Sequence, residues 1–79
     1  MSDEREQADA IVAVCATRWP AYEWAGTGPD GWGLWTFTAT PLGESSDVRR
    51  RYMVNPVMFM DVSPEAMATL LEIRLELKD

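Results

Sequence analysis

Histidine is absent from this chain of 79 residues, and cysteine occurs once, at Cys15. The first absence excludes Ser-His-Asp and Cys-His nucleophilic catalysis and every histidine-based metal site. The second excludes an intrachain disulfide and a zinc site built on several thiolates. Bases are scarce too. Seven lysine and arginine residues stand against 13 acids, a net charge of −6. Such a surface repels phosphate, which disfavours nucleic acid and anionic membranes and favours a basic protein surface. The same charge also serves solubility alone. No apolar run approaches the ~18 residues that a bilayer span needs. The stretch Met1-Ser2-Asp3-Glu4-Arg5-Glu6 is acidic and polar, the opposite of a secretory signal. The expectation is a cytoplasmic protein without membrane contact.

What is present reads as one small folded domain over residues 1–79. The hydrophobic fraction of 47% and charged fraction of 25% are those of globular chains. A domain this short buries a thin core, so surplus apolar surface points to a partner. The clearest element is Trp32-Gly33-Leu34-Trp35-Thr36-Phe37-Thr38-Ala39-Thr40, which alternates and is rich in aromatic and β-branched residues. Gly31 and Pro41 bound it. It predicts a central strand, with Trp35, Phe37 and Ala39 on one face and Leu34, Thr36 and Thr38 on the other.

Residues 3–19 predict a helix. Ser2 is the candidate N-cap, and Asp3, Glu4 and Glu6 suit the positive end of the helix dipole. Ala8, Ile11, Val12, Cys15, Ala16 and Trp19 form one apolar stripe, and Pro20 ends the helix. Cys15 lies in that stripe and reads as a buried small hydrophobe, with no histidine to activate it. Tyr22-Glu23-Trp24-Ala25 is a short strand, joined to the central strand by the turn residues 26–31. That glycine-rich loop lacks the Gly-Lys-Ser/Thr ending of a phosphate loop, and no helix follows it.

After the polar connection 41–47, residues 48–54 predict a third strand, interrupted by Asn55-Pro56. Val57-Met58-Phe59-Met60 is expected to resume it or extend it beyond a bulge. Alternation puts Arg50 with Val48, Tyr52 and Val54 towards the helices. Arg49 and Arg51 join Thr36 and Thr38 on an open face. Ser63, Pro64 and Glu65 announce a second helix over 64–77. Its apolar residues Met67, Leu70, Leu71, Ile73, Leu75 and Leu77 spread over roughly 200°, wider than one packing face needs. Residues 71–78 also alternate strictly, as a strand would, but their Leu, Glu, Arg and Lys content favours helix. The fold class is α+β: an α-β-β-β-α chain whose two helices pack on one face of a three-stranded antiparallel sheet.

No catalytic kit emerges. The acids of the first helix and the Asp61/Glu65 pair sit where helix starts want them. Glu23 and Asp30 flank the glycine loop and could meet across the hairpin, yet a carboxylate pair needs a cleft around it. No spacing fits an EF-hand. No enzyme, cofactor or metal site is expected.

The aromatics carry more. Trp19, Trp24, Trp32 and Trp35 all fall in the first half. A small core takes two or three, which leaves Trp24 or Trp32 as the candidates for exposure. Three readings follow. The first is a small acidic protein-binding module, an inhibitor or modulator that occupies a surface of a larger protein, such as a basic nucleic-acid-binding one. Small inhibitors of phages and mobile elements share this size and charge. Its contact residues would come from Trp24, Trp32, Arg49, Arg51, Met58, Leu71 and Leu75. The second is a homodimer through residues 64–77, serving a larger assembly. The third is weak nucleic-acid binding by the Thr/Arg sheet face with a tryptophan to stack on bases.

Overall fold

A computed structural model describes residues 3–43 and 48–77. Helix α1 spans Asp3–Arg18, strands β1, β2 and β3 span Tyr22–Thr27, Trp35–Pro41 and Arg50–Val54, and helix α2 spans Pro64–Arg74. A single 3-10 turn, Pro56–Met58, follows β3. The sheet is antiparallel with the order β1-β2-β3. The α-β-β-β-α architecture is therefore the expected one.

The register also follows the alternation. Trp35 pairs with Val54, Phe37 with Tyr52 and Ala39 with Arg50, while Thr36 pairs with Met53 and Thr38 with Arg51. The first set faces the helices. Trp35, Phe37, Ala39 and Val54 are buried there with Ala8, Ile11 and Cys15 of α1 and Met67, Ala68 and Leu71 of α2. Phe59, just past the 3-10 turn, completes the centre. Its ring stands edge-on to Trp35 at 6.2 Å and to Phe37 at 5.7 Å. Gln7 ties this loop to α1, its amide nitrogen donating to the Phe59 and Val62 carbonyls at 3.0 and 2.6 Å. Trp19, following α1, donates its indole N–H to Glu72 of α2.

Several boundaries differ from the sequence expectation, each for a local reason. The central strand begins at Trp35, not Trp32, because Asp30 and Leu34 close the loop by backbone pairing at 3.0 Å. β1 runs on to Thr27. Val48 precedes β3, where it is exposed instead of facing the helices. Residues 57–60 do not resume the strand. The Asn55 side chain accepts from the Val57 N–H at 3.1 Å and nucleates the 3-10 turn. α2 starts as expected, with the Ser63 hydroxyl accepting from the Ala66 N–H at 3.1 Å and Pro64 in the first turn. It ends at Arg74 rather than residue 77. Glu76 adopts φ 54°, its N–H reaches the Ile73 carbonyl, and the Leu77 N–H reaches that of Glu72. That is the Schellman pattern, in which the chain reverses and returns an apolar residue to the core. The strand reading of 71–78 is thereby replaced by helix and cap over 71–77. Ser2, residues 44–47 and Lys78 lie outside the described residues.

Candidate functional site

The β1–β2 loop is built around Asp30. One oxygen of its carboxylate accepts from the Trp32 N–H at 2.8 Å and the Leu34 N–H at 2.9 Å. The Gly33 N–H reaches the Asp30 carbonyl at 3.0 Å. At one end of the loop, Gly28 has φ +154°, and a Cβ there would sit 2.8 Å from the Trp35 ring. Glycine is therefore what lets the loop lie against the core. The loop is fixed by its own hydrogen bonds, and Trp32 stands out from it, 87% exposed.

The sheet register brings more apolar surface to this end. Because Trp35 opposes Val54, the end of β3 and the turn after it lie beside the start of β2. Val57 is 77% exposed there, and Met58 and Met53 are also exposed. Both helix N-termini point the same way: Glu4 of α1 accepts from the Trp35 indole N–H at 2.9 Å, and Gln7 holds the loop that leads into α2. This end therefore also carries Asp3, Glu6, Asp30, Asp61 and Glu65. Arg5 is its one described base, its guanidinium 5.2 Å over the Trp35 ring.

The opposite end carries arginines together with Glu23, Glu72 and Glu76, and most of the arginines are held internally. Arg50 donates to the Leu75 and Glu76 carbonyls at 2.9 and 3.1 Å, Arg18 donates to Thr69, and Arg74 lies 5.9 Å over the Tyr52 ring. The expected contact residues are thus dispersed. Trp32 and Met58 fall at the acidic end. Arg49 and Arg51 are exposed, Arg51 on the open sheet face opposite Thr38 and Arg49 just before β3.

Two of the expected contact residues lie in the core and a third is partly buried. Trp24 is half-buried on the helix side, its indole N–H donating to the Trp19 carbonyl at 3.1 Å and its ring 6.2 Å from that of Tyr22. Leu71 and Leu75 are core residues, 0% and 3% exposed. The wide arc of α2 contains no surplus contact of that kind, because the cap folds Leu75 and Leu77 inward; Ile73 is the large apolar side chain that α2 leaves outside. Leu71 and Leu75 are therefore not surface residues. Val57 was missed because residues 57–60 read as a strand. The Asn55-Pro56 pair, which favours a turn, was the signal for it.

The open sheet face carries Glu23, Ala25 and Thr27 of β1, Thr36, Thr38 and Thr40 of β2, and Arg51 and Met53 of β3. No aromatic ring is on that face among the described strand residues, so a base has nothing there to stack on. Glu23 and Asp30 do not meet, since Glu23 pairs with Thr40 at the far end of the hairpin. Cys15 is buried, and burial raises its thiol to about 11, which keeps it protonated and unreactive at neutral pH. Among the described residues there is no group of acids and cysteine fit to hold a metal ion, no pocket, and no helix long and apolar enough to cross a membrane. Compared with known proteins, the chain matches no family model, no curated protein and no solved structure.

Proposed function

We propose that this chain is a small protein-binding module that docks its hairpin end onto a larger protein, as an inhibitor or modulator would. The observation that carries the reading is Trp32, almost fully exposed on a loop that its own hydrogen bonds hold in place. An exposed indole on a preorganised loop loses little entropy on contact and brings a large apolar area, the profile of an interface hot spot. Val57, Met58 and Met53 are exposed at the same end, and the acids there favour a partner with a basic rim, such as a nucleic-acid-binding protein. In this reading the chain binds and does not catalyse, and it works in the cytoplasm. The missing histidine and the unpaired, buried Cys15 support both points.

The test is affinity capture of the tagged protein from nuclease-treated lysate of its source cell, at low and high salt, beside Trp32→Ala. One stoichiometric protein partner is expected. It should be lost with Trp32→Ala, whose cost as a hot spot is about 2 kcal/mol or more, roughly thirtyfold in affinity. Binding that weakens with salt would place the acids in the contact. A partner held equally by both proteins, or no partner at all, sinks the reading.

A further inference from the structure

We infer that Trp32 and Asp30 together seat an arginine side chain of the partner protein, its guanidinium stacked on the indole and hydrogen-bonded to the carboxylate. The assignment rests on the docking role of Trp32 proposed above and names the chemistry that this residue meets.

The loop supplies two groups side by side. The Trp32 ring is 87% exposed, so a face of it is open to a ligand. Asp30 is exposed as well. One oxygen of its carboxylate accepts from both the Trp32 and the Leu34 N–H, at 2.8 and 2.9 Å. Among the described residues nothing donates to its other oxygen. Because the Trp32 N–H itself is bonded to that carboxylate, the charge is held at the root of the indole side chain. It lies within reach of an arginine laid along the ring.

Charge and shape decide the occupant. The face of an indole is the negative part of its quadrupole and attracts a cation. A purely apolar side chain would bury the second Asp30 oxygen without a donor, and an acidic one would be repelled. Of the two long cations, arginine fits better. Its planar guanidinium stacks on a ring while its edge donates to a carboxylate, whereas an ammonium is a strongly hydrated point charge.

The fold builds the same combination once internally. Arg5 lies 5.2 Å over the Trp35 ring, and Glu4 accepts from the indole N–H of that ring at 2.9 Å. Arg74 stacks similarly over Tyr52 at 5.9 Å. Trp32 has the ring and the carboxylate, but Arg5, the one described base of its end, is engaged at Trp35. The cation for Trp32 therefore comes from the partner. Asp3, Glu6, Asp61 and Glu65 at the same end add long-range attraction for it.

The experiment titrates a capped tetra-arginine peptide, beside capped tetra-lysine of equal charge, into the isotope-labelled full chain at about 0.15 M salt. Amide and indole N–H chemical shifts are followed. The indole N–H groups of Trp19, Trp24 and Trp35 are hydrogen-bonded within the fold, which sets the exposed Trp32 signal apart. Tetra-arginine should shift that signal and the amides of residues 30–34, and should bind there about two- to fivefold more tightly than tetra-lysine. Trp32→Leu keeps an apolar side chain on the loop and removes the aromatic face, so the preference for arginine should vanish at residues 30–34. Asp30→Asn keeps an oxygen for the two N–H donors and removes the charge, and should weaken tetra-arginine by a further two- to fivefold or so. Equal affinity for the two peptides, a preference that survives Trp32→Leu, shifts confined to the helix N-termini, or no binding overturns the inference. Its failure is distinct from that of the docking role. Capture reads whether Trp32 makes the contact, and the peptides read which side chain it takes. A captured partner lost with Trp32→Ala, beside an arginine peptide indifferent to Trp32, would leave the docking role standing and this inference overturned.

Discussion

The two ends of this molecule treat their large side chains in opposite ways. At the arginine end three of the long chains are taken up by the fold: Arg50 donates to the carbonyls of the cap that follows α2, Arg18 holds Thr69, and Arg74 covers Tyr52. At the acidic end the core closes at Trp35 and Phe59, and beyond that closure Trp32, Val57 and Met58 are turned out to water. Trp32 and Trp35 stand three positions apart in sequence, yet one is 87% exposed and the other 1%. The difference teaches that aromatic content alone does not locate a contact surface. What separates the two rings is the loop closure by Asp30, which turns the chain so that Trp35 enters the sheet and Trp32 stays outside it.

The largest effect should come from Trp35→Ala. Removing a buried tryptophan costs about 3–5 kcal/mol, against a total stability on the order of 5–10 kcal/mol for a domain of this size. The substitution also strips Glu4 of its indole donor. A mostly unfolded or strongly destabilised protein is expected in a urea titration followed by circular dichroism. Trp32→Ala should lie within about 0.5 kcal/mol of wild type in the same titration, as exposed substitutions do. If the two variants lose comparable stability, the division between a packed and a presented tryptophan is wrong.

These pairs also show how far the sequence could be read. Where two signals agreed, position followed. The alternation from Trp35 to Ala39 and the Val54/Tyr52 pair told which strand faces meet the helices, though not the pairing register, and the Ser63-Pro64-Glu65 cap started α2 in place. Where a single side chain decided the geometry, pattern was not enough. Asn55 and Asp30 each redirect the backbone through one carboxylate or amide oxygen, so Val57 and Trp32 left strands that periodicity had assigned to them. Leu71 and Leu75 looked like surplus because an apolar arc was counted on a helix running to residue 77. The cap at Glu76 shortens the helix and folds the last leucines back. The central place of Phe59 had no local signal, since its burial depends on contacts with Trp35 and Phe37 far away in sequence.

A middle-sized effect should mark the arginine end. Arg50→Met keeps the aliphatic stem against the sheet and deletes two hydrogen bonds to the end of α2. Charge-assisted bonds to helix carbonyls, discounted for the exposure of Arg50, are worth about 1–2 kcal/mol. The same urea titration should show that loss, with a steeper fall in amide exchange protection across Leu71–Leu75 than across β1. A neutral Arg50→Met would mean that the arginine end is as free as the acidic one, and the contrast between them would fail.

The smallest effect is a gain. Glu76 sits at φ 54°, in the left-handed region where a Cβ is disfavoured and glycine is the usual occupant of a helix cap. Its negative charge also lies at the negative end of the α2 dipole. Glu76→Gly should therefore stabilise the protein by about 0.5–1 kcal/mol, the relief of strain exceeding the added freedom of the unfolded chain. Glu76→Gln separates the two causes, because it removes the charge and keeps the Cβ. If backbone strain dominates, Gln should recover less than half of the gain from Gly. If Gln matches Gly, the charge was the burden, and Arg50, whose guanidinium reaches the Glu76 carbonyl, offsets it only in part. A loss of stability with Gly would show that the left-handed cap is not what ends α2, and the inward turn of Leu75 and Leu77 would need another cause.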